Sequence, residues 1–222
     1  MISTGVINNI KLHIIGGRDI PLQFKELKND EYELDQMNFD EGDVVVDIGA
    51  NVGMVSCYLA KKFPFIKILS FEPNPITYDL LLRNIQLNDI HNIKPNNIGV
   101  SANSEPIIIY YEPDFLGSAS SFVPSMVREK NFREIVCMTK TLDMIFEEEN
   151  IDHCKLLKID CEGAEFSCLF ATSVLPKIEH IKAEFHLNNK LRLDGYSYDT
   201  LAQHCREQIK GTLVFVENEI PD

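Results

Sequence analysis

Residues 43–53 read DVVVDIGANVG, and the fold class follows from how that run ends. Asp43 to Ile48 is a β-branched apolar stretch that stops at a glycine turn, and residues 52–62 (VGMVSCYLAKK) then carry helix-type periodicity before Pro64. A short apolar run without polar alternation reads as a strand buried on both faces, as in the middle of a parallel sheet. Downstream the alternation repeats. Ile66 to Phe71 (IKILSF) reads as a second strand, and Pro75 to Leu87 as an amphipathic helix with Leu80, Leu81 and Ile85 inward. A third strand falls between Ile93 and Val100. Later strands are Leu156 to Asp160 (LLKID) and Ile178 to Phe185, with a helix near 198–209 and a strand at 212–216 closing the chain. Strand–helix alternation implies βαβ units: an α/β, Rossmann-like, doubly wound and mostly parallel sheet with helices on both faces. Residues 106–111 (PIIIYY) and 135–139 (IVCMT) flank the polar loop GSASS (117–121) and read as a small antiparallel insertion around 104–140, over the sheet's carboxyl edge. Thr141 is placed to cap a helix running to about Glu149. Residues 1–40 suggest a hairpin and a short helix. With no repeat or long linker, the sequence reads as one domain over 1–222, its core spanning 41–216.

In an open α/β sheet, ligands bind beyond the carboxyl ends of the strands where strand order reverses, which directs attention to Asp47–Gly53. Gly49 and Gly53 permit a sharp turn and close backbone approach, with Ala50 and Asn51 between them. The Gly-x-x-x-Gly spacing matches only two glycines of the dinucleotide fingerprint, which counts against a pyrophosphate. Glu72 closes the second strand 19 positions after Gly53, where a carboxylate accepts hydrogen bonds from both ribose hydroxyls of a nucleoside. Asp47, at the end of the first strand, would repel a pyrophosphate and suits an ammonium group. Together these features favour S-adenosylmethionine (SAM) over NAD. The plainer readings are that Asp47 caps the turn and that Glu72 is an exposed strand end.

The motifs VVVDIGANVGMVS (44–56), SFEPNP (70–75), SSF (120–122), TLD (141–143), LLKIDCEGAEF (156–166) and AEFH (183–186) fall in the order seen in one family. On them the sequence resembles the FkbM-type methyltransferases, a class I SAM-dependent family that mostly O-methylates sugars and natural-product hydroxyls. The resemblance spans roughly residues 40–190. Phe185 departs from the smaller aliphatic residue usual at that strand end. The cofactor set implied is Asp47, Gly49, Ala50, Asn51 and Gly53, then Glu72, Pro73 and Asn74, with Ile98 and Asp160 completing it; S-adenosylhomocysteine would be the product. Asn74-Pro75-Ile76-Thr77-Tyr78 faintly resembles an amino-group methyltransferase motif, but it follows the second strand rather than the fourth.

Methyl transfer from a sulfonium is an in-line displacement, so the protein aligns acceptor, methyl and sulfur and excludes water. An alcohol acceptor also loses a proton. On the fourth strand Lys158, Asp160 and Glu162 share one face by period-2 alternation. Asp160 is expected at the methionyl end of SAM or at the acceptor, and Glu162 or His186 as base or acceptor anchor. Glu165 is equally readable as negative charge on a helix's first turn, and His186 as an ordinary strand-end histidine. Asp160, Glu162 and His186 form a conceivable divalent-cation set, but methyl transfer requires no metal, and none is expected. The hydroxyl-rich 117–121 loop suits a polyol or is simply a connection.

The formal charge of −13 and pI near 4.9 disfavour a phosphate backbone as partner, so no nucleic acid is expected. The expected partner is a small-molecule or glycan hydroxyl acceptor. Six cysteines without a Cys-x-x-Cys pair read as reduced thiols of a cytoplasmic protein. No signal segment or membrane span is read. Competing functions are methylation of a protein or nucleic acid, a nicotinamide-dependent oxidoreductase, and a non-catalytic SAM-binding scaffold.

Overall fold

Asn8 and Asn9 both adopt positive φ, 46° and 66°, the paired left-handed geometry that closes a two-residue hairpin. They join β1 (Ile2–Ile7) to β2 (Ile10–Ile15), an antiparallel pair standing apart from the main sheet. In this computed structural model, residues 2–17, 20–111, 120–121 and 133–219 are described. After α1 (Ile20–Lys28) the chain alternates as expected: β3 (Val44–Ile48), α2 (Met54–Lys62), β4 (Lys67–Phe71), α3 (Pro75–Leu87) and β5 (Ile93–Asn96). Then come β6 (Gly99–Val100), β7 (Ile107–Tyr111), β8 (Ser120–Ser121), β9 (Arg133–Cys137) and β10 (Thr139–Lys140). The last part comprises α4 (Leu142–Glu148), β11 (Cys154–Ile159), α5 (Glu165–Ala171), β12 (Ile178–Leu187), α6 (Asn189–Leu193), α7 (Tyr198–Arg206) and β13 (Leu213–Glu219).

Six strands form the main sheet in the order β13-β12-β11-β3-β4-β5, and every neighbouring pair is parallel. The chain builds outward from β3 through β4 to β5, then crosses back to lay β11, β12 and β13 on the other side. The order therefore reverses between β3 and β11. Period-2 alternation divides the core in two. Val45, Ile68 and Leu156 face the hairpin, α1 and α2, whereas Val46, Leu69 and Leu157 face α4, α5 and α7. On the first face a buried polar row crosses four strands: Ser70, Asp47, Lys158 and Lys182 stand opposite one another in register.

Local chemistry accounts for the element ends. Asn74, Thr141 and Ser197 cap α3, α4 and α7, each accepting a hydrogen bond from a first-turn backbone N–H. The strand expected between 93 and 100 is two strands. β5 is the sheet's edge, where Pro95 is tolerated. Asn97 Nδ2 then bonds to the Glu72 and Pro73 carbonyls (2.9 and 3.0 Å), and β6 leaves to pair in parallel with β10. β7 lies antiparallel to β8 and β9, the insertion read from the sequence. In the 117–121 loop, residues 117–119 lie outside the described residues, as does Phe122. Among the described residues no helix is long and apolar enough to cross a membrane.

Candidate active site at the sheet's switch point

A cavity of about 720 Å³, counting the space open to solvent, lies at the carboxyl ends of β3, β4 and β11. Its floor is the Gly49–Gly53 turn. Gly49 N and Ala50 N both donate to Phe71 O at 3.0 Å, and Asp160 N donates to Ile48 O at 3.1 Å, so the turn is clamped between β4 and β11. Gly49 has φ +72°, and a Cβ built there would stand 1.7 Å from Asp160 O. Only glycine lets these two strand ends meet. Asn51 also holds positive φ (52°), the backbone strain commonly found at ligand sites.

Glu72 lines one side and is 5% exposed. Its Oε2 accepts from Asn51 N at 2.8 Å, and its Oε1 from Asn74 N (2.9 Å) and Thr77 Oγ1 (2.8 Å). Burial pushes its carboxyl above the usual range, opposed by those three donors. A carboxylate offers about four acceptor positions, so protein donors already take three. The sequence reading gave Glu72 two ribose hydroxyls; the structure leaves room for about one more bond.

The turn after β11 forms the other side. Glu162 and Gly163 both have positive φ, 57° and 111°. This left-handed pair reverses the chain, with Asp160, Cys161, Glu162 and Ala164 lining the cavity. Glu165, fully buried, folds back over the turn: its carboxylate accepts from Cys161 N (2.8 Å) and Gly163 N (3.0 Å) and meets His186 Nδ1 at 3.1 Å. Glu165 is thus more than helix-terminal charge. His186 Nε2 faces Glu184 at 3.5 Å and Glu162 at 3.6 Å. Burial alone would lower the imidazole's pKa, but Glu165, Glu184 and Glu162 reverse that and lift it well above its ordinary value. Burial likewise raises Glu162, which His186 partly counters and Asp160, Glu165 and Glu184 reinforce.

Of the residues expected from the sequence, Gly49, Asn51, Glu72, Pro73, Asp160 and Glu162 line the cavity. Six others do not. Asp47 lies beneath the turn, 1% exposed, accepting from Ser56 Oγ at 2.5 Å and facing Lys158 Nζ at 3.5 Å. Ala50 and Gly53 support the turn from behind, with Gly53 packed on Leu81. Asn74 caps α3 through Oδ1, which accepts from Ile76 N at 3.0 Å. Ile98 packs against the core, and the neighbouring Gly99 and Val100 take the lining position. His186 backs the Glu162 turn from behind. Sequence reasoning missed Ile107 and Ile109, which reach the cavity from β7 while Ile108, between them, is 44% exposed; the alternation in PIIIYY was the available signal. It also missed Thr77, one turn into α3, which bonds Glu72. The atoms of Asp160, Glu162 and His186 that could ligate a cation lie within 4.8 Å of one another.

The sequence profile of the methyltransferase FkbM domain matches residues 47–207. Methyltransferase sdnD of Sordaria araneosa is 30% identical over 174 residues, covering 66% of this chain and 66% of that protein. Hexuronic acid methyltransferase AglP of Haloferax volcanii is 26% identical over 148 residues, covering 66% of this chain and 57% of that protein. The chain therefore spans less than two thirds of either relative. Among solved structures, the Pyrococcus abyssi tRNA (uracil-54, C5)-methyltransferase bound to S-adenosyl-L-homocysteine matches 79% of this chain and 32% of its own, at 11% identity and TM-score 0.41.

Proposed function

The chain belongs to the FkbM methyltransferase domain family, and from that premise we propose that it transfers the methyl group of SAM to a hydroxyl of a sugar, glycan or other small natural product. The observation that carries this reading is one cavity with two unlike carboxylate walls: Glu72 on one side, Asp160 and Glu162 on the other. The cofactor is S-adenosylmethionine, leaving as S-adenosylhomocysteine. Its ribose meets the acceptor position that remains on Glu72, and its adenine lies against the apolar surface of Phe71, Val100, Ile107 and Ile109. The methionyl end runs over the Gly49 turn towards Asp160. This orientation points the sulfonium methyl at the Asp160–Glu162 rim, where an acceptor hydroxyl sits in line with the C–S bond.

Glu162 takes the acceptor's proton. Its carboxyl is raised towards the working pH by burial and neighbouring acids, as a general base requires. His186 holds the Glu162 turn in place; an imidazolium between three carboxylates has no lone pair to accept a proton. Asp47 acts at one remove, fixing Lys158 and the underside of the turn. Hydroxyl acceptors of the sugar class suit the −13 net charge better than nucleic acid, and a relative named for hexuronic acid supports the choice. Six free thiols fit a reducing compartment such as the cytoplasm.

The test is transfer of labelled methyl from SAM to a panel of neutral glycosides, nucleotide sugars and polyketide alcohols. Wild-type transfer to at least one class, reduced about 10²–10⁴-fold in Glu162→Gln, is the expected result. Transfer that is unaffected by Glu162→Gln would remove it from the mechanism.

A further inference from the structure

Tyr32 lies outside the matched family segment, which starts at residue 47, yet its side chain reaches the active site. Its hydroxyl donates to Asp160 Oδ2 at 3.3 Å, across 128 positions of sequence. The Lys158 ammonium approaches the same oxygen at 3.4 Å, donates to Gly49 O at 3.0 Å and lies 5.9 Å from the centre of the Tyr32 ring. Two donors from different parts of the fold thus converge on one oxygen of a carboxylate that lines the cavity. Burial, then the Asp160 charge, pushes the Tyr32 phenol well above its ordinary pKa, so it stays a donor at any working pH.

The segment carrying Tyr32 is built to hold it there. Asp30 Oδ1 accepts from Leu34 N at 2.5 Å and Asp35 N at 3.2 Å, and Leu34, Met37 and Phe39 anchor the following residues in the core. The next residue, Glu33, meets Lys182 Nζ at 3.4 Å, and Lys182 stands beside Lys158 in register. Tyr32 and Glu33 therefore lie over the Lys158 and Lys182 end of the buried polar row, whereas Ser56 of α2 meets its Asp47 and Ser70 end.

We infer that Tyr32 is a positioning residue for Asp160. With Lys158 it pins Oδ2, fixing the carboxylate's rotation so that the other oxygen is presented to the ligand. The N-terminal segment is in this way part of the active site. The inference rests on the reading that Asp160 meets the methionyl end of SAM.

Calorimetric titration of wild type, Tyr32→Phe, Asp160→Asn and the double variant with SAM, S-adenosylhomocysteine and 5′-methylthioadenosine tests it, since the last ligand lacks the amino-acid end. Tyr32→Phe is expected to weaken the first two ligands about fivefold. Binding of 5′-methylthioadenosine should be unchanged, and the double variant should bind no more weakly than Asp160→Asn alone. Equal weakening of all three ligands, or additive losses in the double variant, makes Tyr32 merely structural and overturns the inference. Full affinity in Tyr32→Phe overturns it as well. If wild type binds neither SAM nor S-adenosylhomocysteine, the cofactor reading itself fails and takes this inference with it.

Discussion

Lys158→Met probes the centre of the molecule and the underside of the active site together. The ammonium of Lys158 is 3% exposed and stands between Asp47 Oδ1 (3.5 Å) and Asp160 Oδ2 (3.4 Å), donating also to Gly49 O. Burial would lower its pKa, but Asp160 and Asp47 outweigh that and raise it, so Lys158 stays charged across the physiological range. Methionine matches the side chain's length and removes the charge. Asp47, 1% exposed, then keeps Ser56 Oγ as partner but has no cation facing Oδ1. Removing one member of a buried pair costs about 3–5 kcal/mol, since an uncompensated charge stays behind. The orphaned Gly49 carbonyl adds roughly 1 kcal/mol. Against a total stability of about 5–15 kcal/mol this is a large loss, readable in the urea midpoint at constant m-value. Adding Asp47→Asn removes the stranded charge and should restore about half of it. A Lys158→Met protein within about 1 kcal/mol of wild type, or no recovery in the double variant, would refute the reasoning.

Glu72→Ala orphans two backbone N–H groups, while the Thr77 hydroxyl keeps the Asn74 carbonyl at 3.1 Å. It should cost about 2–4 kcal/mol of stability and also weaken SAM binding at least about tenfold; unfolding and titration curves both unchanged would remove Glu72 from both roles. Gly49→Ala sets a Cβ 1.7 Å from Asp160 O, whereas Gly42→Ala, at φ +86°, meets nothing within 4 Å. The first should cost more than about 3 kcal/mol and the second only about 1–2, the left-handed penalty alone, in the same denaturant assay. Equal costs would show that the strand ends are not in contact. Glu149 is held below the usual carboxylate range chiefly by Lys94, with burial opposing and Lys67 assisting. A depressed carboxyl stabilises the fold above its unfolded pKa and loses that effect as pH falls through the folded one. The midpoint gap between wild type and Glu149→Gln should therefore be present at neutral pH and vanish in acid; a gap that widens in acid would contradict the assignment.

Much of this architecture was legible because it is local. The 43–48 run, its glycine turn and the helix after it carry their periodicities within a dozen residues, and Glu72 follows from strand length. Thr141 announces a helix start through cap chemistry, whereas Asn74, expected in the cofactor set, caps α3 in the structure. The cavity lining was legible at and just beyond the strand ends, as with Gly49, Asn51, Glu72, Pro73, Asp160 and Glu162. Asp47 points away from the cavity because cross-strand register, invisible in sequence, sets it beside Lys158. Tyr32, Ile107 and Ile109 arrive from segments whose placement depends on tertiary packing. Glu162 or His186 is the base or acceptor anchor expected from the sequence; that Glu162, Glu165 and Glu184 surround His186 emerges only in the fold.

Parallel calorimetric titration of the purified protein with SAM, S-adenosylhomocysteine and NAD tests the central claim most directly. Saturable binding of both adenosyl ligands, weakened at least about tenfold in Glu72→Ala while that variant remains folded, is the predicted result. Binding of NAD alone, or of none of the three, would contradict it.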